Sequence, residues 1–163
     1  MVTLAVLAIL ATIAVPSFQD IIKRNQITAQ TNELIALIYL ARNEAIRRNP
    51  VGSQSVSVEF WSDPGAGTWE GAVFPPGATE TAEGCPDGAI RCASHTRVLL
   101  SPDSGLQIHF DNRGYSVDPG GSNLEEATLT LRHQDCTSTT KQHARQVTIR
   151  RTGQVSYEPV GCD

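Results

Sequence analysis

From Met1 to Val15 the chain reads MVTLAVLAILATIAV, with no charge and only Thr3 and Thr12 polar. Such a run avoids water. As a helix rising 1.5 Å per residue it would be about 22 Å long, short of the roughly 30 Å hydrocarbon core, which takes about 20 apolar residues to cross. A helix buried in a protein core is the plain alternative for a run of this length. A cleavable signal peptide fits poorly, because no basic region comes first and Pro16, Ser17 and Phe18 lead directly into another helical pattern.

From Ser17 to Asn49 there is neither Gly nor Pro, and Asn49 with Pro50 supplies the stop. Leu34, Leu37, Ile38, Ala41 and Ala45 recur at helical spacing and predict one buried stripe. Glu33, Arg42, Asn43, Arg47 and Arg48 fall opposite and predict a solvated face. Phe18, Ile21 and Ile22 mix with Lys23, Arg24 and Asn25, which predicts an exposed middle between the greasy start and the packed half. Pro16, lacking an N–H and clashing with the preceding turn, is predicted to kink or locally melt the rod.

After Pro50 the apolar period changes from 3.6 to 2. Val56, Val58 and Phe60 alternate with polar residues, and the turn SDPGAG at 62–67 leads to a second strand at Trp69–Phe74. The Gly- and Pro-rich stretch Pro75–Ser94 predicts a long loop. Further strands are predicted at Thr96–Leu100, Leu106–Phe110, Gly114–Asp118, Ala127–His133, Arg145–Arg151 and Gln154–Glu158. The fold class is therefore α+β, with a long N-terminal helix packed on a mostly antiparallel β-sheet head. Three regions are expected: 1–16, a hydrophobic membrane or filament-core segment; 17–49, an amphipathic helix; and 50–163, a β-rich head.

With 163 residues the chain holds one core of ordinary size, which excludes a multidomain enzyme. Up to Gly52, Lys23, Arg24, Arg42, Arg47 and Arg48 outnumber Asp20, Glu33 and Glu44, so the formal charge of −4 divides into +2 for this part and −6 for the head. No global basic field exists to drive nucleic-acid binding. Cys85, Cys92, Cys136 and Cys162 all lie in loop-like surroundings of the head, an even count that predicts two disulfides and an oxidising compartment. Four cysteines allow three pairings. Loop closure favours Cys85 with Cys92 and Cys136 with Cys162. A zinc site on Cys136, His133 and His143 is the alternative, with irregular spacing and no CxxC knuckle.

A greasy N-terminal helix, a proline joint, an amphipathic half and a cysteine-stapled, strand-rich head together resemble a type IV pilin or pseudopilin. The run MVTLAVLAILATIAVPSF is similar to that family's N-terminus with its first residues missing, and about six more apolar residues would complete a span. The resemblance places a leader peptide, a Gly-Phe cleavage junction and an acidic residue upstream of Met1. LARNEAIRRN at 40–49 resembles the helix end of FimT- and FimU-type minor pilins and of the pseudopilin GspH. IHFDNRGYS at 108–116 resembles that family's strand turn, and RQVTIRRTGQVSY at 145–157 its closing hairpin, with Cys162 beyond. What this implies is a non-enzymatic minor pilin at the tip or priming complex of a type IV pilus. It would be held in the bacterial inner membrane with a periplasmic head, then move to the filament and the cell surface. Its partners would be other major and minor pilins. A minor pseudopilin of a type II secretion system shares the architecture.

Some FimT-like members bind double-stranded DNA in natural transformation through a Gly-Arg-x-Arg patch. Here Gly153 is followed by Gln154 and Ser156 where the arginines would stand. Lys141, Arg145, Arg150 and Arg151 precede it and are the candidate DNA contacts, against a plain reading as charges guarding a hairpin edge. No catalytic, cofactor or metal set emerges. Ser104, His109 and Asp111 lack a nucleophile-elbow sequence, Glu125 and Glu126 are adjacent, and Trp61 and Trp69 flank a hairpin as packing residues.

Overall fold

The structure is a computed structural model that describes all residues except 1, 51–53, 79–86, 103–104, 119–121, 123, 125, 138–142 and 163; within the first 16 residues it describes the side chains of Thr3 and Thr12 alone. One helix, α1 (Val2–Arg48), carries the N-terminal third of the chain. It continues through Pro16, so the proline does not melt the rod into two pieces. Thr3 and Thr12 are exposed. Among the described residues no helix is long and apolar enough to cross a membrane. The helix ends because Asn49 takes a left-handed conformation (φ 47°) while its N–H still bonds the Ala45 carbonyl, and Pro50 follows.

Nine strands follow among the described residues: β1 (Val56–Asp63), β2 (Thr68–Phe74), β3 (Arg91–Thr96), β4 (Val98–Ser101), β5 (Leu106–Phe110), β6 (Ser116–Val117), β7 (Glu126–His133), β8 (Ala144–Arg150) and β9 (Val155–Val160). They form two antiparallel sheets, ordered β3-β2-β1-β5-β6 and β4-β7-β8-β9. The stripe Leu34, Leu37, Ile38, Ala41 and Ala45 is fully buried against both. Packing begins earlier than the stripe predicts, at Ile27 and Thr31, whose hydroxyl donates to the Ile27 carbonyl. Phe18, Ile21 and Ile22 stand exposed on the rod above.

Several expectations are corrected. The predicted loop Pro75–Ser94 ends at Ile90, because Arg91–Ser94 already pair with β2; the edge of β2 defines this strand, and its own sequence RCASHT has no apolar alternation. The single strand expected at Thr96–Leu100 is broken at Arg97, which has φ 68° and moves the chain from one sheet to the other. Its N–H bonds the Gly67 carbonyl and its carbonyl accepts from Gln134 N, so both backbone groups remain satisfied across the step. The strand expected at Gly114–Asp118 shrinks to Ser116–Val117, since Gly114 (φ 79°) is a turn residue.

Both tryptophans pack as expected, with a polar handle each. Trp69 is fully buried against Phe60 and His95, and its indole N–H donates to Gln30 Oε1 at 2.8 Å. Gln30 in turn donates to the Thr96 carbonyl, so one helix side chain serves β2 and β3. Trp61 donates to Glu70, its direct cross-strand partner.

Candidate functional site

Three segments far apart in sequence meet at the foot of α1. Arg42, in the last turns of the helix, donates from Nε to the Gly114 carbonyl at 3.1 Å. Gly114 closes the turn Asp111–Gly114, held by Gly114 N to Asp111 O and Asp111 N to Tyr115 O. Gly153 (φ 72°) closes the matching turn between β8 and β9, held by Gly153 N to Arg150 O and Arg150 N to Gln154 O. Both are three-residue hairpin loops with glycine at the left-handed position. A Cβ at Gly153 would overlap the Gly114 carbonyl and lie 2.7 Å from Arg42 Nε. The buried Ser116 completes the joint, donating from N to Arg151 O and from Oγ to Arg150 O. Helix, first sheet and second sheet are locked together here.

Arg42 therefore corrects the prediction of a purely solvated outer face: it is half-buried and structural. Glu33 also has a partner, an ion pair with Arg91 at 2.7 Å. Arg47 and Arg48 both clamp Glu44, and the Arg47 hydrogen bond foremost, with that of Arg48, holds its carboxyl down at about 2.

The described candidate DNA contacts fall at the two ends of β8. Lys141 lies outside the described residues. Arg145 is half-buried near the start of β8 and donates to the Ala144 carbonyl, while Arg150 and Arg151 sit at the other end of that strand. Five residues of strand separate them by about 17 Å. Cys136 and Cys162 are joined in a disulfide with Cα atoms 5.5 Å apart. Cys92 is also disulfide-bonded, and its expected partner Cys85 lies outside the described residues. With Cys136 so engaged, the alternative zinc set with His133 and His143 is broken. Ser104 lies outside the described residues, and Asp111 spends its carboxylate capping its own turn through Arg113 N and Tyr115 N. His109 Nδ1 instead meets Ser55 Oγ at 2.8 Å, a pairing that nothing in the spacing signals.

At the opposite end, His133 and His143 are buried beside α1. His133 Nδ1 accepts from Asp135 N at 3.1 Å, which leaves the proton on Nε2 to be donated to Gln26 Oε1 at 3.1 Å. Lys23 pairs with Asp135 at 3.2 Å, and His143 stands 3.8 Å from Asp20. Burial pushes His133 below its usual value, and Lys23, His143 and Arg97 push the same way against Asp135. The native state thus prefers the neutral ring, and the unfolded chain takes up a proton first. His133 should contribute its full stabilisation above about pH 6.5 and lose it as the pH falls through that value toward the lowered one. Unfolding free energies from urea titrations at falling pH should drop by no more than about 1.4 kcal/mol per pH unit from this group. His133→Gln, which cannot ionise, should flatten the slope; an unchanged slope would place the proton elsewhere.

A single long helix laid by one stripe across two antiparallel sheets, its upper apolar residues uncovered, is the architecture of a pilin-like filament subunit. The sequence model of the type II transport protein GspH family matches residues 30–153, and the chain belongs to that family. The match runs from the packed half of α1 to the Gly153 turn, so it contains all three segments that meet at Arg42. Comparison with curated proteins gives no match, and comparison with solved structures gives none.

Proposed function

We propose that the chain is a non-catalytic minor subunit of a type II secretion pseudopilus. The observation that carries this reading is the division of α1. Ile27 to Ala45 is spent on the chain's own head, while Phe18, Ile21 and Ile22 are left uncovered on a rod that continues to Val2. Together with membership of the GspH family, that leaves the upper helix for neighbouring helices. One apolar rod can exchange lipid contacts for contacts with other rods, and repeated head-to-tail packing gives an open helical filament. Before assembly the segment 1–16 would anchor the subunit in the inner membrane, with the disulfide-bonded head in the periplasm. The partners are the other major and minor pseudopilins.

A minor pilin of a type IV pilus is the second reading, favoured by the resemblance of LARNEAIRRN to FimT- and FimU-type helix ends. A role in DNA uptake has less support, because Arg145 lies far along β8 from Arg150 and Arg151. A chromosomal deletion separates these readings. Loss of secreted enzymes from the medium with surface pili intact is the expected result, restored by the wild-type chain and not by Phe18→Ser/Ile21→Ser/Ile22→Ser. Loss of pili with secretion intact would overturn the secretion reading.

A further inference from the structure

The joint around Gly114 and Gly153 also concentrates charge. Arg42, Arg47 and Arg48 come from the end of α1, Arg113 from the Asp111–Gly114 turn, and Arg150 and Arg151 from the β8–β9 turn. Their elements are held together by Arg42 on Gly114, by Asn112 Nδ2 on Asn49 Oδ1 at 3.1 Å and by Ser116 on the carbonyls of Arg150 and Arg151. Against these six arginines stand Glu44, Asp111 and, across the ladder from Arg150, Glu126. In a chain of formal charge −4 this end is a positive island.

Glu44 is occupied by Arg47 and Arg48, and Asp111 by Arg113. The side chains of Arg150 and Arg151 are exposed and make no ion pair among the described residues. Two large apolar side chains share the surface. Ile46 is 47 % and Tyr115 38 % exposed, and the Arg113 guanidinium lies over the Tyr115 ring at 5.4 Å. Ile46 reaches the same glycine as Arg42, since a Cβ on Gly114 would lie 2.9 Å from Ile46 Cδ1.

We propose that this end of the head docks an acidic segment of another protein, one that also carries an aliphatic or aromatic side chain to cover Ile46 and Tyr115. Exposed arginine beside tyrosine is the composition of energetic centres in protein interfaces. The arginines steer and orient a carboxylate-rich partner, and water leaving Ile46 and Tyr115 supplies the non-directional part. A nucleic-acid duplex would use the arginines through its phosphates but offers little to cover Ile46. The inference concerns the chain's own surface and holds whichever filament the chain joins.

The test titrates a fluorescein-labelled glutamate–leucine peptide into the full chain in a non-ionic detergent. Saturable binding is expected. It should weaken about tenfold in Arg113→Glu/Arg151→Glu and several-fold in Ile46→Thr, and should tighten or stay level in Glu44→Gln. Replacing the peptide's leucines by serine should weaken it as well. Arg42 is left unchanged because it supports Gly114, and matching thermal unfolding of the variants keeps a fold defect separate from a lost contact. Binding indifferent to the charge reversals would overturn the proposal. So would a labelled DNA duplex that binds more tightly than the peptide through the same arginines without need of Ile46, or self-association of the chain that the peptide competes away.

Discussion

Valine at position 153 is expected to lower folding stability by about 4 kcal/mol. A β-branched residue at φ 72° is strained by roughly 1–3 kcal/mol. Its side chain must also displace the Gly114 carbonyl or the Arg42 side chain, and overpacking of that kind adds roughly 1–3 kcal/mol. The neighbour with least freedom is the carbonyl, because its turn is closed by two backbone hydrogen bonds and its oxygen accepts from Arg42. Gly88→Val is the matched control: its φ is 97° but nothing lies within 4 Å of the added Cβ, so the backbone strain is what remains. Urea unfolding followed by circular dichroism measures both. Equal, small losses at the two glycines would mean that the joint between the sheets is loose.

Removing the Cys136–Cys162 bridge by double substitution with alanine should cost about 3.5 kcal/mol, the loop-closure entropy of cross-linking residues 26 apart. For a chain of this size that is a fall of about 10 °C in Tm. The bond joins Cys162, two residues beyond β9, to the turn after β7, where Cys136 N bonds His133 O. It therefore holds the free end of the outermost strand of the second sheet, whose one strand neighbour among the described residues is β8. A Tm within 2–3 °C of wild type, on the scale of about 1 kcal/mol, would show that the unfolded chain is already constrained there.

The two ends of the head differ in how they respond to their surroundings. The foot is held by Arg42 on the Gly114 carbonyl, by Asn112 on Asn49 and by backbone contacts between the turns, none of which titrates in mild acid, while Glu44, ionised in all but strong acid, braces the last turn of α1 itself. The upper contact depends on a neutral His133 and on exposed or half-exposed charges at Lys23, Asp135 and Asp20. Acid and salt should loosen the upper helix from the head before they affect the foot.

Much of the fold was legible because burial on one face leaves a period in the sequence. Leu34 to Ala45 drew the helix stripe, and strands β1, β2, β5 and β7 lie within a residue or two of where alternation placed them. β3 was not, since an edge strand is defined by the neighbour it pairs with. Arg97 was not, since nothing about an arginine announces a left-handed backbone. The burial of His133 and His143 was not, since they pack beside Gln26 and Asp20 of α1, more than a hundred residues away.

By itself the sequence determined the long apolar-to-amphipathic helix, its stop at Asn49, the β-rich cysteine-bearing head and the family likeness, because each is a local pattern repeated along the chain. Only the tertiary structure decided that Arg42 is a structural contact, that Gly114 and Gly153 touch, and that the arginines of three segments form one surface while Arg145 stands apart. Those facts depend on how two sheets close around one helix, and distances across such a closure are set by packing that no single stretch of sequence contains.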